Sequence, residues 1–123
     1  MFIRRIVPNI PTSQPEQSRA FYGDFLGMRL AMDMGWIVTY VSPVNPTAQI
    51  SLVRGDISKF SGAGISIEVD DVNRLHGDAI ARGYRITYPL TDEAFGVRRF
   101  AVEDPSGVVV NIMCHLKPAT ADR

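Results

Sequence analysis

Apolar and polar positions alternate with different periods along the chain, and each change of period predicts a new element. The apolar stretch from Phe2 to Asn9 is typical of a strand. After it, four apolar residues recur at helical spacing: Ala20, Phe21, Phe25 and Leu26. We expect them to form the inward face of a helix that begins near Pro15 and ends at Gly27. Strand-like runs then follow at Met28 to Met32, Trp36 to Val41 and Gln49 to Val53.

The second half repeats this order. A strand pattern at Ile65 to Val69 leads into a helical pattern, which Asp70 or Asp71 can cap and which Gly83 ends. Strand-like runs follow at Tyr84 to Tyr88, Val97 to Val102 and Val108 to Met113, with a loop expected at Leu90 to Gly96. Each half therefore has the order strand, helix, strand, strand, strand. An internal repeat of this size indicates two copies of one supersecondary unit.

The repeat also predicts the domain organisation. We expect a single domain over residues 1–123, because one half alone is too small to bury a secure core. Its first βαβββ module covers residues 2–54 and a polar linker covers 55–63. The second module covers 64–115, and a short tail covers 116–123.

Composition narrows the classes of partner. The chain has 13 basic and 13 acidic residues, so its net charge gives no reason to expect nucleic acid or an anionic membrane as a partner. No apolar run is long enough to span a bilayer, and the first residues do not form a secretion signal. The single cysteine, Cys114, fits a reducing compartment. We expect a cytoplasmic protein.

Several short motifs, in this order and at these intervals, resemble the vicinal oxygen chelate superfamily. That group includes glyoxalase I, extradiol dioxygenases, fosfomycin-resistance enzymes and bleomycin-resistance proteins. The motifs are Phe21-Tyr22, Leu26-Gly27, Val69-Asp70-Asp71-Val72, Ala81-Arg82-Gly83, Phe95-Gly96-Val97-Arg98 and Asp104-Pro105-Ser106-Gly107.

The resemblance extends from Ile3 to Met113, and Pro8 to Pro11 is most similar to the opening of bleomycin-resistance members. It implies an α+β fold in which two paired βαβββ modules form a cupped mixed sheet with the helices outside. It also implies a homodimer.

In the metal-dependent members of the superfamily, four inward-facing residues, usually His, Gln or Glu, bind a divalent metal in the cup. The resemblance places these positions at Val7, Ser51, Gly64 and Asn111. Valine and glycine side chains cannot coordinate a metal, and serine hydroxyls and asparagine carbonyls are weak donors for a transition metal. We therefore expect no cofactor, with a divalent metal as the alternative.

Aromatic and polar residues near the expected cup are candidates for binding an organic ligand. These candidate residues are Trp36, Tyr40, Ser51, Phe60, Phe95, Arg98 and Asn111. Glu68 is a candidate general base, and the alternative is a rim carboxylate that is solvated or paired with Arg98 or Arg99. His115, at the end of the last strand, is expected to be solvated.

Three functions are consistent with these observations. The leading hypothesis is a metal-free small-molecule binding protein of the glyoxalase/bleomycin-resistance type, without enzymatic activity, that holds a hydrophobic or aromatic ligand in the central cup. The first alternative is a glyoxalase- or dioxygenase-like lyase, isomerase or oxygenase that uses an unidentified metal site or Glu68 as base. The second is an interaction module with a vestigial pocket, which predicts a small or occluded cavity.

Overall fold

Eight strands form one mixed sheet in the computed structural model, which describes residues 2–55 and 62–117. The strands are β1 (Ile3–Thr12), β2 (Arg29–Asp33), β3 (Ile37–Val41), β4 (Gln49–Arg54), β5 (Ile65–Val69), β6 (Ile86–Asp92), β7 (Val97–Glu103) and β8 (Val109–His115). Their order across the sheet is β2-β3-β4-β1-β5-β8-β7-β6. The α+β prediction with two paired modules is confirmed, and the sheet does not close into a barrel.

Each module places its first strand parallel to its last strand. β1 pairs with β4, where Asn9 lies opposite Ser51, and β5 pairs with β8, where Ser66 lies opposite Asn111. The antiparallel pairing of β1 with β5 joins the two modules at the centre of the sheet. The repeat in the sequence is thus a repeat in strand pairing.

The helix α2 (Val72–Ala81) covers the outer face of the second module. It begins as expected at Asp71, whose carboxylate accepts a hydrogen bond of 3.1 Å from the backbone N–H of Arg74. Phe100 is the largest fully buried side chain and packs in the cluster beneath this helix with Val69 and Val72. Burial of this apolar cluster fixes which side chains of β5 and β7 point outward.

The first helix differs from the sequence prediction. The helix α1 (Pro15–Arg19) continues as a π-helix over Ala20–Phe25, in which the backbone N–H of Leu26 bonds to the carbonyl of Phe21 at 3.0 Å. The wider turn rotates the side chains away from the face expected for an α-helix. The predicted inward face is therefore wrong: Phe21, Phe25 and Leu26 are exposed, and Phe25 is 73% exposed.

The strand β6 is also longer than expected. It runs through Leu90 to Asp92, where a loop was predicted, because Thr91 and Asp92 pair with Arg99 and Arg98 of β7. A register shift beside Pro89 accommodates the proline, which has no backbone N–H to donate. Within the described residues, no helix is long and apolar enough to cross a membrane.

Candidate functional site

The inner face of the sheet, opposite α2, lines a cavity of about 460 Å³, which we call the cup cavity. Its lining residues alternate along most of the strands, for example Arg5, Val7 and Asn9 on β1 and Ser66 and Glu68 on β5. Alternate residues of a strand point to the same face of the sheet. The strands of both modules therefore line the cavity with their inner face. Other inner-face strands contribute Thr39, Ser51, Val97, Arg99, Asn111 and Met113.

Neutral polar side chains form the floor of the cup cavity. Ser66 Oγ accepts hydrogen bonds from Asn9 Nδ2 at 2.9 Å and from Asn111 Nδ2 at 3.0 Å. Beside them, the hydroxyls of Thr39 and Ser51 share a hydrogen bond of 2.7 Å. These five residues are buried, and we call them the polar floor.

Arg99 lies next to the polar floor and is 4% exposed. Its NH1 donates to Asn111 Oδ1 at 3.1 Å, and its Nε donates to Glu93 Oε2 at 2.7 Å. The hydroxyl of Tyr88 donates to the same carboxylate oxygen, and the guanidinium lies 4.2 Å from the centre of the Tyr88 ring. Glu93 and the ring therefore compensate the charge of the buried guanidinium.

A second charged cluster lies at another part of the cavity wall. Arg5 donates to Glu68 Oε1 and to the side-chain carbonyl of Gln49, and His115 Nδ1 donates to Glu68 Oε2 at 2.8 Å. Burial alone would raise the pKa of Glu68, but the hydrogen bonds from His115 and Arg5 outweigh it and lower the pKa. A carboxylate with a lowered pKa and both oxygens engaged is a weak general base.

The remaining wall is apolar. Trp36 and Phe95 line the cavity together with the thioethers of Met32, Met34 and Met113. Methionine side chains adapt to irregular shapes and make favourable contacts with aromatic rings. The cup cavity therefore combines an adaptable apolar wall with a hydrogen-bonding floor.

The structure separates the predicted ligand-binding residues into two groups. Trp36, Ser51, Phe95 and Asn111 line the cup cavity. Phe60 lies outside the described residues.

Tyr40 and Arg98 do not line the cup cavity where they were expected, because both lie on the outer face. Tyr40 is buried on the side of the first helix, where its ring lies 3.6 Å from the place a side chain at Gly23 would occupy. Arg98 pairs outside with Asp92 at 2.6 Å.

Sequence reasoning missed several cavity residues. Arg99 lies inside, where a role had been given to its neighbour Arg98. His115 is 56% exposed, as expected, but it also bonds to Glu68, which was not foreseen. Asn9, Thr39 and Ser66 were also missed. One signal could have found Asn9 and Ser66: they lie two residues after Val7 and Gly64, which the resemblance had already placed inside, and alternate residues of a strand point to the same face.

The polar floor does not suit a divalent transition metal. Val7, Ser51 and Asn111 line the cavity, and the backbone carbonyl of Gly64 accepts a hydrogen bond from the N–H of Asn9. The direct strand neighbours of Ser51 and Asn111 are Asn9 and Ser66, which add only an amide and a hydroxyl. Over residues 2–55 and 62–117, no three His, Cys, Asp or Glu side chains form a metal-binding group.

Comparison with known proteins adds the family. The sequence profile of the Glyoxalase/Bleomycin resistance protein/Dioxygenase superfamily matches residues 3–112. No curated protein sequence matches the chain.

Solved structures share the fold. Methylmalonyl-CoA epimerase from Mycobacterium tuberculosis is similar with a TM-score of 0.73 and 19% identity, over 98% of this chain and 93% of that one. A glyoxalase/bleomycin resistance protein/dioxygenase superfamily member from Vibrio splendidus has a TM-score of 0.67 and 18% identity, over 89% and 97%. A variant of homoprotocatechuate 2,3-dioxygenase from Brevibacterium fuscum has a TM-score of 0.67 and 17% identity, over 94% of this chain and 33% of that one. Identities this low show the fold alone.

Arg98 and Arg99 allow a matched test of outer and inner placement. We expect Arg99→Met to lower the free energy of unfolding by about 3 kcal/mol, because it leaves the partly buried carboxylate of Glu93 without its cation. Arg98→Met removes an exposed, solvent-screened ion pair and should change the free energy of unfolding far less. Urea unfolding followed by circular dichroism measures both losses. Equal losses would contradict the inner placement of Arg99.

Glu68 should make stability depend on acid pH. Because its pKa is lowered in the folded protein, its contribution is present above the ordinary value of 4.5 and is lost as the pH falls through the folded-state pKa. The difference in unfolding free energy between the native protein and Glu68→Gln should be largest near neutral pH and should shrink toward about pH 3.

Urea unfolding at about pH 7, 5 and 3 measures this difference. Glu16→Gln, on the exposed first turn of α1, is the matched control and should change little at any of these pH values. A Glu68→Gln difference that stays constant with pH would show that the carboxylate is not stabilised by its neighbours.

Proposed function

The chain belongs to the Glyoxalase/Bleomycin resistance protein/Dioxygenase superfamily, and on that premise we propose that it is a metal-free binding protein for a small hydrophobic or aromatic molecule. The ligand occupies the cup cavity. The observation that carries this proposal is the composition of that cavity, an apolar wall over a buried polar floor. Binding sites for small organic molecules are concave and mostly apolar, with a few placed polar groups.

The size of the cavity supports a binding role. A volume of about 460 Å³ falls within the range of about 300–1,000 Å³ that is usual for small-molecule sites. The hypothesis of a vestigial pocket expects a small or occluded cavity, so this volume weighs against it. Trp36 and Phe95 supply flat apolar surface against which a planar ligand can stack.

The chemistry of the polar floor supports the metal-free part of the proposal. A metal centre needs negatively charged or imidazole ligands to offset the loss of hydration. Here the corresponding places hold amide, hydroxyl and hydrocarbon groups, and the amides and hydroxyls bond to one another. A catalytic role for Glu68 is also disfavoured, since Arg5 and His115 hold its two carboxylate oxygens.

Filling the cavity should weaken ligand binding. Ala31 lines the cup cavity on the exposed strand β2, so Ala31→Phe can add volume there without disturbing a packed core. Trp36 is the only tryptophan of the chain and reports on the cavity by its fluorescence. We expect a panel of bicyclic aromatic compounds to contain ligands that change this fluorescence. Ala31→Phe should reduce the affinity for these ligands at least about tenfold.

Ile80→Phe is the matched control, because Ile80 is 59% exposed on α2, on the opposite face of the sheet. Its affinities should equal those of the native protein. The proposal fails if no compound of the panel binds below about 1 mM, or if both variants weaken binding equally.

The metal-free part has its own test. We expect purified protein to retain no stoichiometric metal, and manganese, nickel, zinc and anaerobic ferrous iron to leave its melting temperature unchanged. The double variant Ser51→His with Asn111→Glu is the positive control, since it places an imidazole and a carboxylate in the floor and should gain metal-dependent stabilisation. A metal retained through dialysis by the native protein would overturn this part.

A further inference from the structure

The charges and hydrogen-bonding groups of the cup cavity define the ligand more narrowly than its shape does. We infer that the ligand is electrically neutral and presents a carbonyl beside an N–H or O–H group to the polar floor, as a lactam or carboxamide does. The inference rests on the proposed binding function and adds the chemical class of the ligand.

Charge balance is the first step. The charged lining residues that the structure describes are Arg5, Glu68, Arg99 and His115. Each has a partner: Glu68 accepts from both Arg5 and His115, and Arg99 pairs with Glu93 at 2.7 Å. The two arginines are thus matched by two carboxylates. His115 adds a charge only when its imidazole is protonated, so with a neutral imidazole the lining offers no uncompensated charge.

An ionic ligand would lose its hydration without gaining a counter-ion. Drawing Arg99 toward a ligand anion would break its bonds to Glu93 and Asn111, and Glu93 would then lack its cation. Drawing Glu68 toward a ligand cation would break its bonds to Arg5 and His115. Burying an unpaired charge is costly, so the cavity selects against both signs.

The hydrogen bonds within the polar floor show what it can offer a ligand. Asn9 Nδ2 donates to Ser66 Oγ and to the backbone carbonyl of Ala63, but no hydrogen bond among the described residues reaches Asn9 Oδ1. No buried polar side-chain atom in this part of the chain lacks a partner, so Asn9 Oδ1 is accessible from the cavity. It is a hydrogen-bond acceptor for a ligand N–H or O–H.

Donors come from the hydroxyl groups. Ser66 Oγ accepts two hydrogen bonds, and its own hydrogen has no acceptor among the described residues. Thr39 and Ser51 have two hydroxyl hydrogens between them, and the bond they share uses one. The polar floor therefore presents one amide oxygen and two hydroxyl hydrogens.

This arrangement matches a neutral group that carries an acceptor and a donor side by side. A lactam or carboxamide carbonyl accepts from the hydroxyls, and its N–H donates to Asn9 Oδ1. A ligand without such a group leaves the accessible floor atoms without partners once it has displaced water. The floor thus discriminates by unmade hydrogen bonds, as sites built around polar groups do.

Isothermal titration calorimetry with four bicyclic aromatic probes of similar size tests the inference on the native protein. The probes are 2-quinolone, which is a neutral lactam, naphthalene, the anion 2-naphthoate and the cation 2-naphthylmethylammonium. We expect 2-quinolone to bind at least about tenfold more tightly than each of the other three.

Two floor variants identify the groups responsible. Asn9→Leu removes the amide oxygen, and Thr39→Val removes a hydroxyl with almost no change of shape. Each should reduce the preference for 2-quinolone over naphthalene by about tenfold while leaving naphthalene affinity nearly unchanged. Thr39→Val keeps the test decisive if Asn9→Leu does not fold, since Asn9 also ties Ser66 to the backbone of Ala63.

The outcomes separate the inference from the proposed function. If 2-naphthoate or the ammonium probe binds most tightly, or if naphthalene binds as tightly as 2-quinolone, the inference of a neutral polar ligand is overturned. The proposed binding function is then still supported. If none of the four probes binds, the proposed function fails and the inference fails with it. A preference for 2-quinolone that both floor variants reduce supports the inference.

Discussion

The antiparallel pairing of β1 with β5 is the constraint on which the rest of the structure depends. It joins two similar modules into one sheet, with Val7 opposite Ser66 and the backbone N–H of Asn9 bonded to the carbonyl of Gly64 at 2.9 Å. This register brings Asn9 and Ser66 together, and the parallel partners of each strand add Ser51 and Asn111. A slip of one residue would turn these side chains toward the helices and would place apolar residues on the cavity floor. Fold and site are therefore decided by the same strand register.

That register produces a floor whose polar groups mostly satisfy one another. Ser66 links Asn9 to Asn111, and Arg99 extends the chain of hydrogen bonds to Glu93 and the outer strands. Buried networks of this kind are stable only when nearly every member has a partner, which is the case here. A metal centre would need the opposite arrangement, with strong donors held apart and aimed at one point. Superfamily membership and the metal-free floor that we propose are compatible, because the fold supplies positions and the side chains decide the chemistry.

The sequence predicted the architecture well because the repeat consists of whole helices and strands, and several residues indicate each of them. It predicted the site less well because site membership depends on single positions. In the strand β7 both parities carry large side chains, so nothing in the local pattern distinguishes Arg98 from Arg99; only pairing with β8 and burial of Phe100 under α2 decide it. Tyr40 was assigned to the cup because it is aromatic, but its parity places it beneath the first helix. The exposure of Phe21 and Phe25 follows from a π-helical turn, which a search at helical spacing does not detect.

In the binding function that we propose, the same network also determines how a ligand is recognised. The bonds between Asn9, Ser66 and Asn111 leave Asn9 Oδ1 and the Ser66 hydroxyl hydrogen available, so a ligand can add contacts without breaking existing ones. Binding then costs little reorganisation of the protein, and most of the free energy can come from burying apolar surface against Trp36 and the methionines. Selectivity arises from the cost of unmade hydrogen bonds, since a ligand that displaces water from these groups without replacing its hydrogen bonds leaves them unsatisfied. An apolar wall without the floor would bind many compounds weakly, whereas in the proposed function the floor restricts the cavity to ligands whose polar edge matches it.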